Sequence, residues 1–102
     1  GKTDNDSTSE VLSIIIKETE VNKYRESAQI LTNMPPTEAL IYLRSEQDSK
    51  ELAKMFYFIQ TPEQKALISE LNRGTKTDRV LAYDIVKALS KIEPLSGADN
   101  KQ

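Results

Sequence analysis

A unit that occurs twice between residues 28 and 71 limits what this chain of 102 residues can become. The first copy runs from Ala28 through Ile30-Leu31, Met34-Pro35-Pro36 and Glu38-Ala39-Leu40 to Leu43. The second runs from Leu52 through Met55-Phe56-Tyr57-Phe58-Ile59 and Pro62-Glu63 to Ala66-Leu67 and Leu71. In each, an apolar helix end meets a proline, an acid follows, and a new helix opens on an Ala-Leu pair. Aligning Ala39-Leu40 with Ala66-Leu67 sets a spacing of 27 residues, within the period range of helical repeats. No residue of the unit has an evident chemical task, which points to a binding or assembly module.

The length fits one domain, and 37% hydrophobic with 29% charged residues is a globular balance. A formal charge of −2 gives no reason to expect non-specific attraction to nucleic acid or an anionic membrane. Cysteine and histidine are both absent, which removes thiol nucleophiles, disulfides, imidazole bases and ordinary zinc sites together. Glycines at positions 1, 74 and 97 build no phosphate-cradling loop. Glu18 with Glu20, or Glu46 with Asp48, could pair as carboxylates, but nothing apolar surrounds them to raise a pKa. The expectation is a non-enzyme with no cofactor and no metal. No run approaches the roughly 20 apolar residues of a spanning helix.

Residues 1–8 are polar and unpatterned, a frayed tail, and include an Asn5-Asp6-Ser7 glycosylation sequon. The domain is expected over 9–93, with a second tail over 94–102. Val11, Leu12, Ile14, Ile15 and Ile16 form a dense apolar patch whose β-branched run is compatible with a strand. Leu12, Ile16, Tyr24, Ala28 and Leu31 instead share one helical stripe, which favours helices over 9–20 and 23–33. Three successive isoleucines cannot all face one core, so one is half exposed or the run is a partner seam.

Pro35-Pro36 ends that segment and opens a helix over 36–45. Asp48 and Glu51 cap a helix over 49–59, with Leu52, Met55, Phe56 and Ile59 as its core face. Thr61-Pro62-Glu63-Gln64 starts a helix over 62–73, stopped by Arg73 and a left-handed Gly74. Thr75 or Thr77 starts the last helix, with Val80, Leu81, Ile85, Ala88, Leu89 and Ile92 as its buried stripe and Pro94 as its end. The fold class is therefore all-α, with five or six short helices.

The segment Arg73-Gly74-Thr75-Lys76-Thr77-Asp78-Arg79 places cations between two helices, as a helix-turn-helix would. Its acid at the start of the next helix and its few base-reading side chains argue for a solvated loop. In the aromatic block, Phe56 and Ile59 belong to the core stripe while Tyr57 and Phe58 project away from it. Either a following helix pair covers them or they form a partner surface. Tyr57, Phe58, Ile14, Ile15 and Tyr42 are the candidate contacts.

The stretch Ala28-Gln29-Ile30-Leu31-Thr32-Asn33-Met34-Pro35-Pro36-Thr37-Glu38-Ala39-Leu40 resembles the repeat of the MgtE intracellular N-domain superfamily. That superfamily includes magnesium-transporter N-domains, FliG-like flagellar switch segments and MotE-type periplasmic motility chaperones. The second unit, with Gln60-Thr61-Pro62-Glu63 before Ala66-Leu67, is a looser match, and Leu40 stands where the family has a second alanine. The resemblance covers residues 24–72 and implies a right-handed, solenoid-like helical bundle that binds other proteins. It carries over no catalytic residue. Among the members, MotE-type chaperones and FlbB-type collar proteins of spirochaetes are most similar. This implies a periplasmic scaffold or chaperone that binds flagellar motor or stator components, can form a homodimer and is anchored by a preceding membrane segment. Two alternatives are a cytoplasmic magnesium-responsive regulatory domain, with Glu38, Glu46, Asp48 and Glu51 around one loop, and a small nucleic-acid-binding domain.

Overall fold

Prolines and polar caps cut residues 13–95, the part of the chain that the computed structural model describes, into five helices. They are α1 (Val21–Asn33), α2 (Pro36–Glu46), α3 (Ser49–Phe56), α4 (Thr61–Asn72) and α5 (Lys76–Leu89), preceded by one 3₁₀ turn at Glu18–Glu20. The all-α expectation holds.

Each boundary has a local cause. Met34 and Pro35 take extended ψ angles of 149° and 146°, as residues before prolines do, and α1 stops there. Pro36 then occupies the first position of α2, where its missing N–H costs nothing. The Asp48 carboxylate accepts from Lys50 N at 3.0 Å and Glu51 N at 3.4 Å, satisfying two free donors of α3. In α5, Thr75 Oγ1 accepts from Asp78 N while Asp78 Oδ2 accepts from Thr75 N, each at 3.1 Å, a closed capping box.

Several boundaries differ from those expected. Residues 13–17 are not helical: Ile14 lies parallel to Ile92, with Ile14 N donating to Lys91 O and Glu93 N donating to Ile14 O, both at 2.8 Å. The strand propensity of the isoleucine run prevails because the end of the chain supplies backbone partners that spacing could not show. Side chains then alternate, with Ile14 and Ile16 buried and Ile15 64% exposed. The α3 helix ends at Phe56, because Gln64 Nε2 donates to Phe56 O and Ile59 O at 2.6 and 3.1 Å, drawing the chain into a turn. Gln64 therefore closes no capping box, and Gln60, not Thr61, precedes α4. The α5 helix ends at Leu89, short of Pro94, so Ile92 is only partly buried, at the bridge and not on a helical stripe. Val80 is half exposed, not part of that stripe. Leu95, expected in the tail, donates its N–H to Tyr57 Oη at 3.3 Å. The expected tail over 1–8 with its sequon, residues 9–12, and residues 96–102 of the tail expected over 94–102 lie outside the described residues.

The repeat is visible in the packing. Tyr24, Ala28 and Leu31 of α1 and Leu52, Phe56 and Ile59 at and after α3 are buried at a constant offset, one residue more than that of the Ala-Leu pairs, and Ala66 is exposed where Ala39 is buried. α1 packs on α3 and α2 on α4, and α5 closes against α3 and α4. Tyr24, Phe56, Leu31, Leu43, Leu52, Leu71 and Ile85 form the sealed centre. Burying each such side chain contributes about 1.5–3 kcal/mol before entropy is subtracted.

Candidate interaction surface

The sequence-derived contacts separate into three environments. Ile14 is buried with Ala53 and Ala88, so it joins the fold and offers no surface contact. Ile15 is exposed. Tyr42 is half buried, and its hydroxyl lies 3.9 Å from Met55 Sδ, a lining contact of the core.

Tyr57 and Phe58 are half buried in the turn after α3, with ring centroids 5.2 Å apart at 86°, an edge-to-face pair. The Arg25 guanidinium lies 5.4 Å from the Phe58 ring. Phe58 thereby borders a polar groove against α1, lined also by Glu26, Gln29, Thr32 and Gln60. Arg25 of α1 and Leu95, rather than the following helix pair, cover this aromatic pair in part, so its outer edge reaches solvent.

A second groove, which sequence reasoning missed, lies between α4 and α5. Ile68, Val86 and Leu89 form its apolar floor, Lys65 and Arg73 stand at its rim, and its volume is about 460 Å³. No acidic side chain lines it among the described residues. The solvent side of α5 continues the same character, with Tyr83 64%, Val80 50% and Val86 49% exposed. Lys76, Arg79 and Lys87 are exposed among them, and Lys87 Nζ sits 5.6 Å from the Tyr83 centroid. The signal was present in the sequence. Val80, Tyr83, Val86 and Lys87 fall on the face opposite Leu81, Ile85 and Ala88, but one helical period was read as one stripe.

Two of the three cations around the loop before α5 are tied into the fold. Arg73 pairs with Glu70, Arg79 Nη1 donates to Gly74 O at 3.0 Å, and Asp78 points inward rather than to solvent. Two of the four acids of the magnesium alternative are engaged. Asp48 caps α3 and Glu51 accepts from Tyr24 Oη at 2.7 Å. No three acidic side chains gather as metal donors among the described residues. No helix among those residues is long and apolar enough to cross a membrane.

Compared with known protein families, characterised proteins and solved structures, the chain matches none.

Proposed function

We propose that this domain is a non-enzymatic protein-binding module, acting as a scaffold, collar or chaperone of the bacterial flagellar motor. One observation carries the binding reading. A bundle whose repeated stripes are fully used in its own core still leaves Ile30, Ile41, Val80, Tyr83 and Val86 about half or more exposed. Exposed aliphatic and aromatic side chains beside a groove are what a partner surface presents. The motor assignment rests on the resemblance of residues 24–72 to the MgtE N-domain repeat, and on the packing of each helix against the one two further along. Periplasmic exposure and docking to motor or stator components follow from the same resemblance.

The test is genetic and topological. Deleting this domain from the full-length protein is expected to abolish swimming in soft agar while growth is unchanged. Protease added to spheroplasts, but not to intact cells, is expected to digest it. Normal swimming would overturn the motor assignment, and protection in spheroplasts would overturn the periplasmic one.

A further inference from the structure

We propose that the isoleucine run presents an open strand edge through which two copies of this chain pair, antiparallel and about Ile14. The inference is independent of the motor assignment, since it concerns self-association and not capture of another protein.

The edge follows from the bridge between Ile14 and Ile92. Ile14 N donates to Lys91 O and Ile14 O accepts from Glu93 N, both at 2.8 Å, so both backbone polar groups of Ile14 face the end of the chain. In an extended backbone, successive residues direct their N–H and C=O to opposite edges. Those of Ser13 and Ile15 therefore face away from the bridge, and among the described residues nothing bonds to them. The side chains alternate across the sheet plane, with Ile14 and Ile16 buried and Ile15 64% exposed.

Native sheets blunt an unpaired edge with charge, proline or a bulge. The other strand of the bridge is blunted in this way. Lys91, Glu93 and Pro94 lie along it, Ile92 N already donates to Leu89 O, and Leu95 N donates to Tyr57 Oη. The isoleucine edge has no such protection. Val11-Leu12-Ser13-Ile14-Ile15-Ile16 holds no charge, proline or glycine and is mostly β-branched. That is the composition of segments that pair with copies of themselves.

The hydrogen-bond pattern selects the occupant. Free N–H and C=O groups on alternate residues are matched by another extended backbone, not by a helix or a lipid headgroup. A second copy supplies that backbone with the same free groups. The register follows as well, because Lys17 N and O are both taken by Glu20. Only Ser13 and Ile15 are left to pair. A two-fold axis beside Ile14 sets Ser13 of each copy opposite Ile15 of the other, every pair exchanging both bonds. This joins two small bridges into one sheet of the three or more strands that stability in water requires. Short strands bury less than the roughly 1,200 Å² of stable complexes, so the dimer is reversible.

Sedimentation velocity on the 102-residue chain is expected to show monomer passing to dimer between about 10 μM and about 1 mM, the range of weak association. Over the same range, hydrogen exchange at the Ile15 amide should slow severalfold, while exchange at the Ile14 amide, bonded in either state, should not change. Ile15→Pro removes the outward N–H and suits the extended Ile14 before it. It should melt as the parent does when dilute and remain monomeric when concentrated. Ile15→Lys, which keeps the N–H but places a charge on the edge, should also remain monomeric.

Several results would overturn the proposal. One is a monomer throughout with an Ile15 amide that exchanges alike at every concentration. Another is a dimer that survives both Ile15 variants, or one abolished instead by Tyr83→Ala with Val86→Ala, which would assign the contact to α5. Open-ended assemblies in place of a dimer would refute the two-fold closure.

Discussion

Arg44 of α2 and Asp78 of α5 meet in a two-pronged ion pair, Nε to Oδ1 at 3.0 Å and Nη2 to Oδ2 at 2.8 Å. Asp78 is almost fully buried and also closes the Thr75 capping box, so one carboxylate ties the first repeat unit to the last helix. Fork-shaped guanidinium–carboxylate pairs of this kind fix geometry as well as charge.

This arrangement predicts a specific acid sensitivity. The Arg44 guanidinium, then the Thr75 backbone N–H, hold the Asp78 carboxyl down at about 2, against an ordinary 3.8. A carboxyl depressed on folding contributes stability that is present above its unfolded pKa and lost as pH falls through the folded one. The window therefore runs from about pH 4 down to about pH 2. Thermal melts of Asp78→Asn are expected to start lower at neutral pH and to flatten across that window. Parallel slopes in the two proteins would contradict the role assigned to the pair.

The left-handed role that the sequence suggests for Gly74 is taken elsewhere, by Gln47. Gly74 is not left-handed. It is required because a Cβ there would collide with the Asp78 carboxylate, which Arg44 and Thr75 hold in place. Gln47, at φ 57°, is the left-handed residue that ends α2. Gly74→Ala is expected to cost about 1–3 kcal/mol by overpacking. Gln47→Gly should gain about 0.5–1 kcal/mol, since a left-handed side chain is strained by about that amount net of chain entropy. Urea midpoints of the two variants, moving in opposite directions, check both.

Tyr24 predicts the alkaline limit. Burial, and then the hydrogen bond to Glu51, push its phenol well above its ordinary 10. A group raised on folding contributes stability below its unfolded pKa and loses it as pH climbs toward the folded one. Stability should therefore decline above about pH 10. Tyr24→Phe should cost about 1 kcal/mol at neutral pH, the typical worth of a hydrogen bond, and should shrink that decline. Ultraviolet titration of phenolate against unfolding by circular dichroism reads both effects.

The isoleucine run predicts an alternation in stability. Ile14→Ala and Ile16→Ala should each destabilise by about 2–5 kcal/mol, as buried truncations do. Ile15→Ala should change stability by under about 0.5 kcal/mol. A helix through 13–17 would not produce that alternation of two.

Much of the helical framework was legible because its signals are local. Proline at α2 and α4, Asp48 before α3, and the stripe of Leu52, Met55 and Phe56 each act within one or two turns. What was not legible depends on distant partners. Ile14 is extended because Lys91 and Glu93 accept it into a bridge, and α3 is cut short by a glutamine from the next helix. The candidate site divides along the same line. Tyr57 and Phe58 were visible as an anomaly, but their partial cover by Leu95 and Arg25 was not. The apolar groove of Ile68, Val86 and Leu89 emerges only when α4 and α5 lie side by side.

The most direct test is photo-crosslinking in the living cell, with a benzoylphenylalanine placed at Tyr83 of the full-length protein and, separately, at Ile30 and Ile41. The account predicts a discrete adduct with another protein from the Tyr83 position, lost when Val86 is changed to Glu in the same chain. Absence of a protein adduct from all three positions would contradict the claim that this domain works by binding proteins.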